Sequence, residues 1–170
     1  MSEVWLIANA ASAAGFALAE AALKAGAQIV AGAREPARLT ALAARHDGRV
    51  LAVPLDLAAE ATVYAAIDAA LTAFGRLDVV VNMVDKVEAL PVAEMDDATL
   101  RKQFERHFFG VVGLAHAVLP ILHEQGGAGS CMSRSAMTTV IPPVLPRAMR
   151  SAAISKDWRA RSRATESRSA

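Results

Sequence analysis

"IANAASAAGFALAEAAL" (residues 7–23) runs from a short apolar strand through a loop of small residues into an alanine-rich helix. A strand that feeds a helix through so short a loop opens a βαβ unit. The loop carries a single glycine, Gly15, and whether it is a ligand-binding turn or a plain tight connection depends on the residues around it. Outward from this stretch, apolar runs alternate with helical patterns. Strands are expected at 4–8, 27–33, 50–55 and 78–84, with a weak fifth at 129–133. The run "DVVVNMV" is apolar throughout, which implies burial on both faces. Helices are expected from the loop to about Ala25, over 35–48 with Pro36 in the first turn, over 59–75, and from about Asp97 to Leu122. On the last of these, Leu100, Phe104, Phe108, Val111, Val112, Ala115 and Leu119 recur at spacings of three and four and predict the buried stripe. Strands alternating with crossover helices require right-handed connections and a parallel sheet. The expected class is α/β, a doubly wound parallel sheet.

With 170 residues, 54% hydrophobic and 21% charged, the chain can close one full core. The formal net charge of +1 gives no bulk argument for nucleic acid or a membrane surface. It is the sum of −4 over residues 1–145 and +5 over 146–170. The single cysteine, Cys131, excludes an internal disulfide and fits a reducing compartment. Residues 1–3 lead into a strand without a basic, apolar leader, so a cytoplasmic protein is expected. The longest apolar stretch, 108–122, is interrupted by His116 and Pro120, is too short to span a bilayer, and reads as a buried helix. His116 and His123 lack a third ligand, so no metal site is expected. Tyr64, the only tyrosine, reads as a packing residue, and Cys131 as buried and inert.

After about Ala136 the pattern decays. "TTVIPPVLP" cannot continue a central strand, because its prolines remove ladder donors. The arginine- and serine-rich remainder admits one helix around 148–162, with disorder over the last eight residues. Residues 1–135 therefore form the expected domain and 136–170 a degenerate C-terminal segment. Nothing after Lys156 reads as a strand, so the sheet is expected to be incomplete on its C-terminal side. An unpaired edge and uncovered apolar surface then favour self-association.

Several stretches stand in a recognisable order: the strand–loop–helix turn, "LDL" (55–57), "GRLDVVVN" (75–82), "FERHFFGVVGLAHAVLP" (104–120) and "SK" (155–156). Over residues 4–135, and more loosely to 163, this resembles the short-chain dehydrogenase/reductase family. The resemblance implies a Rossmann-like dinucleotide-binding domain and a hydride-transferring oxidoreductase acting on a small carbonyl or alcohol. The family's glycine turn, TGxxxGxG, falls on Ala8, Asn9, Ala13 and Gly15. Such glycines permit the turn, admit a pyrophosphate and let helix and strand pack closely. Gly15 keeps the packing role, Asn9 tolerates a left-handed backbone, and Ala13 puts a methyl group where phosphate would approach. Ser12 and Ala14 complete the cofactor-binding turn, whose helix N-terminus offers free N–H groups.

By the same resemblance Arg34 pairs with a 2′-phosphate, which favours NADP over NAD; the alternative is an ordinary exposed arginine. Asp56, followed by Leu57, matches the adenine-contacting aspartate, and it is equally a helix N-cap for the segment beginning at Ala58. Asn82 keeps the amide of the family's NNAG, with Val84 and Asp85 replacing small residues after it. The catalytic set maps to Ser135 (or Ser133), Lys156 and His107, the last replacing a relay asparagine. The tyrosine of YxxxK falls on Ala152, which has no ionisable proton, so the family's acid/base route cannot run. Two readings follow: an NADP-dependent oxidoreductase by descent with impaired or absent catalysis, or a non-catalytic pseudoenzyme, binding module or truncated product.

Overall fold

A computed structural model describes residues 2–46, 48–83, 91–125 and 130–133. Five strands form one parallel sheet: β1 (Val4–Ala8), β2 (Gln28–Ala33), β3 (Val50–Pro54), β4 (Val79–Asn82) and β5 (Ser130–Ser133). Their order is β3-β2-β1-β4-β5. The chain winds outward from β1 to β3, then crosses back to place β4 on the other side of β1, with Ala8 opposite Asn82. That reversal makes the β1/β4 boundary a topological switch point, where the carboxyl ends of the strands diverge into a crevice. The expected doubly wound sheet is therefore the observed one.

The described residues include five α-helices, α1 (Ala13–Lys24), α2 (Thr40–Arg45), α3 (Glu60–Phe74), α4 (Asp97–Phe104) and α5 (Gly110–Glu124), of which α4 buries no residue. One core lies between the sheet and α3 with α5, built on Leu6, Val30, Val80, Ile67, Leu114 and Val118. The other lies beneath α1 and α2, around Ile7, Ile29, Leu23, Leu39 and Leu42. All four residues of β4 are buried, as its uninterrupted apolar run requires. At the opposite end of the sheet, the Asp78 carboxylate accepts from the Val4 N–H at 2.9 Å and is held by Arg76 Nε at 2.9 Å, so the loop entering β4 is tied to the start of β1. Tyr64 packs half-buried against the first core.

Three expectations are corrected. Residues 35–48 do not form one helix: a 3₁₀ turn, Pro36–Leu39, precedes the six-residue α2. Asp56 is not a helix N-cap. α3 begins at Glu60 after Ala59, and the Asp56 carboxylate accepts from the Ala58 N–H at 3.1 Å, closing a local turn in the loop. The third correction concerns the long helix, which is continuous through Pro120 to Glu124 but contains a π-helical turn at Glu105–Phe109.

A π-turn inserts one residue into the spiral, and each residue turns the helix by about 100°. The stripe read at constant spacing faces away from the core on both sides of that turn. The sheet buries Gly110, Leu114, Ala117, Val118, Ile121 and Leu122, while Leu100, Phe104, Phe108 and Val112 are exposed together with Phe109. The same helix, Asp97–Glu124, spans 28 residues, and with a most apolar 18-residue window of mean hydropathy 1.2 it is, by length and composition alone, long and apolar enough to cross a membrane. Its buried face is committed to the sheet.

Candidate functional site

At the carboxyl ends of β1 to β4 lies an open cleft. Its floor is Ala8 and Asn9 after β1, with Asn82 and Met83 after β4; one wall is Arg34 with Leu55, Asp56 and Leu57, and Arg106 and His107 descend from the π-turn. Backbone hydrogen bonds hold the strand ends together: Ala10 N–H to Gly32 O at 2.8 Å, Leu55 N–H to Ala33 O at 3.0 Å, and Met83 N–H to Ala8 O at 3.1 Å. Thr62 Oγ1 accepts from the Asp56 N–H at 2.9 Å, fixing the wall beside the cleft.

The turn after β1 follows from its residues. Asn9 adopts φ 58°, the left-handed conformation that asparagine tolerates best among residues with a Cβ. Ser12 caps α1: its Oγ accepts from the Gly15 N–H at 3.0 Å and lies 2.9 Å from Asn9 O, to which it donates. A Cβ on Gly15 would stand 2.5 Å from Asn9 O and 2.9 Å from Ala10 Cα, so only glycine lets the helix start against the turn. A second close approach positions the opposite side of the cleft. A Cβ on Gly110 would lie 2.6 Å from Leu57 O and 2.8 Å from Leu57 Cβ. With no side chain there, α5 presses onto the Asp56–Leu57 loop, and the π-turn one step earlier brings Arg106 and His107 into the cleft.

Three nitrogens around this cleft are buried without a hydrogen-bond partner among the described residues: Asn9 Nδ2, Asn82 Nδ2 and Arg106 Nε. Asn82 is only 2% exposed. Buried donors are almost always satisfied in a folded protein, and leaving one unmade costs about 1–3 kcal/mol. Three such donors around one cleft, with Arg34 at its rim, are complementary to a ligand rich in acceptor oxygens and nitrogens. The phosphorylated adenosine end of a dinucleotide is such a ligand, and the residues present fit it.

Of the residues singled out from the sequence, Asn9, Arg34, Asp56, Leu57, Asn82 and His107 come together at this cleft. Ser12, Ala14 and Gly15 do not line it, and Ser12 and Gly15 are engaged in building the turn. Ser133 ends β5. Ser135, Lys156 and Ala152 lie outside the described residues, as do Val84 and Asp85. Arg106 was not anticipated. It follows the charged run Arg101, Lys102 and Glu105 and precedes His107, so at regular helical spacing it reads as one more solvent-facing charge.

Comparison with known proteins decides the ancestry. The family model for short chain dehydrogenase matches residues 3–144. The chain belongs to the short-chain dehydrogenase family. Within that family it is 36% identical over 126 residues to Oxidoreductase BOA17 of Botryotinia fuckeliana, covering 74% of this chain and 46% of that protein. A short-chain dehydrogenase from Streptomyces avermitilis superposes with TM-score 0.73 at 34% identity, over 78% of this chain and 48% of the other. L-Sorbose reductase from Gluconobacter frateurii, solved with NADPH and L-sorbose, superposes with TM-score 0.71 at 29% identity, over 78% and 51%. This short-chain dehydrogenase chain thus spans about half the length of the proteins it matches, and the shared half is the sheet that carries the cleft.

Proposed function

We propose that the chain is a nucleotide-holding member of the short-chain dehydrogenase family that binds NADP in preference to NAD and lacks the family's tyrosine-dependent turnover. The observation that supports the binding half is the buried Asn82 amide, whose Nδ2 has no hydrogen-bond partner among the described residues, at the strand-end switch point. Arg34 at the rim supports the preference for a 2′-phosphate, because a guanidinium pairs with phosphate through charge-assisted hydrogen bonds. Against turnover stands Ala152 at the tyrosine position of the signature, beside the retained Lys156 and Ser135. His107, drawn into the cleft by the π-turn, is a titratable group of the kind proton transfer uses, and it marks the side on which a small carbonyl or alcohol substrate would be handled.

Fluorescence titration with NADPH and with NADH tests this reading, repeated on Ala152→Tyr with a panel of small ketones and aldehydes. NADPH binding stronger than NADH binding, with no turnover by the unchanged protein, is the expected result. Reduction by the unchanged protein would refute the catalytic half, and failure to bind either nucleotide would refute the whole.

The exposed face of α4, the π-turn and α5 supports a second element of the proposal, pairing with another copy of the chain in the cytoplasm. Phe104 and Phe109 are more than half exposed, Phe108 stacks edge-on against Phe109 at 5.2 Å, and Leu100 and Val112 extend the patch. Contiguous aromatic surface of this kind marks an interface.

A further inference from the structure

We infer that Arg106 contacts a phosphate of the bound nucleotide and that, in this chain, a guanidinium side chain takes over anion contacts the glycine turn no longer makes. The inference rests on the cofactor-binding reading above. Three observations carry it. First, at the start of α1 Ser12 Oγ takes up the Gly15 N–H, Ala13 supplies a methyl group at the turn, and no residue from 10 to 15 lines the cleft. Second, Arg106 lines that cleft, and its Nε is buried with no hydrogen-bond partner among the described residues. A buried cationic donor is costly unless an acceptor meets it, and an anion does so best. Third, two local features aim it there. The π-turn Glu105–Phe109 redirects the side chains it carries, and the bare Cα of Gly110 sets the helix against Leu57. π-turns within α-helices recur at functional positions because they redirect side chains in this way.

The cleft then holds two arginines, Arg34 and Arg106, against one carboxylate, Asp56, among its lining residues. That balance selects an anionic ligand and disfavours a neutral nucleoside.

The test is calorimetric binding of NADPH, NADH and adenosine to the full chain and to Arg106→Gln and Arg106→Lys, with thermal unfolding as a folding control. Loss of a charged hydrogen bond should weaken binding roughly 10- to 100-fold in Arg106→Gln, and Arg106→Lys should recover part of the loss. The fall in affinity with added salt should be shallower in Arg106→Gln, because one ionic contact is gone. Loss for both dinucleotides, or for NADPH alone, supports the inference and identifies the pyrophosphate or the 2′-phosphate as the partner. Equal loss for adenosine would assign Arg106 to the base and overturn it, as would unchanged affinity in Arg106→Gln. If the unchanged chain binds neither NADPH nor NADH, the cofactor-binding reading fails first and this inference with it.

Discussion

Gly110 shows how one missing methyl group governs the site. Its Cα faces Leu57 so closely that a Cβ would fall 2.6 Å from a backbone oxygen, which cannot swing aside as a side-chain tip can. Gly110→Ala must therefore lift α5 from the loop, at a cost of about 1–3 kcal/mol for overpacking. The expected outcome is a lower midpoint of thermal unfolding together with weaker NADPH binding, because Arg106 and His107 ride on the same helix. Gly15 is comparable, and its role was legible in the sequence because a strand-to-helix turn has few ways to close. Asn9, Arg34, Asp56, Leu57, Asn82 and His107 could be placed near one another from motif order alone. Arg106 could not, because its direction depends on a backbone irregularity that side-chain spacing does not encode. Ser12 has two uses open to a serine at a helix start, facing a ligand or satisfying the helix itself, and here its Oγ accepts from the Gly15 N–H.

The long helix is where periodicity gave the wrong face. Strands β1 to β4 were readable because they are short, apolar and bounded by glycine, proline or charge, and their burial leaves few alternatives. Apolar residues occur all round residues 97–124, so the constant-spacing stripe and the observed one were both present in the sequence. The packing of α5 against α3 and the sheet chooses between them. At the helix's start, Asp96 caps α4, its carboxylate accepting from the Thr99 N–H at 2.6 Å. Those hydrogen bonds to Thr99 hold the Asp96 carboxyl below the usual carboxylate range. A carboxyl depressed in the folded state contributes stability above its unfolded pKa and loses it as pH falls through the folded value. The α4 cap should therefore weaken on acidification below about pH 4. Asp96→Asn, which caps without ionising, should flatten the acid limb of a pH-dependent circular-dichroism melt; an unaltered limb would remove Asp96 from the account.

For the molecule as a whole, the two faces of the sheet are unequally served. Both cores are closed by helices, yet α4, the π-turn and α5 turn a second apolar surface outward. On the proposed pairing, Phe104→Glu combined with Phe109→Glu should shift light scattering toward the monomer, weakening association at least about tenfold as expected for central aromatic anchors. The same scattering mass before and after the substitutions would exclude this face as the contact. The strand order carries a different kind of consequence. β1 occupies the middle of the sheet, yet its bond to the loop before β4 joins Val4 to Asp78, 74 residues downstream. At cellular synthesis rates that interval lasts about 4–15 s, whereas hairpins and helices form in microseconds. While the polypeptide is being made, its central strand thus waits with one flank open, and the ribosome's pace rather than contact formation sets the earliest moment at which the fold can close.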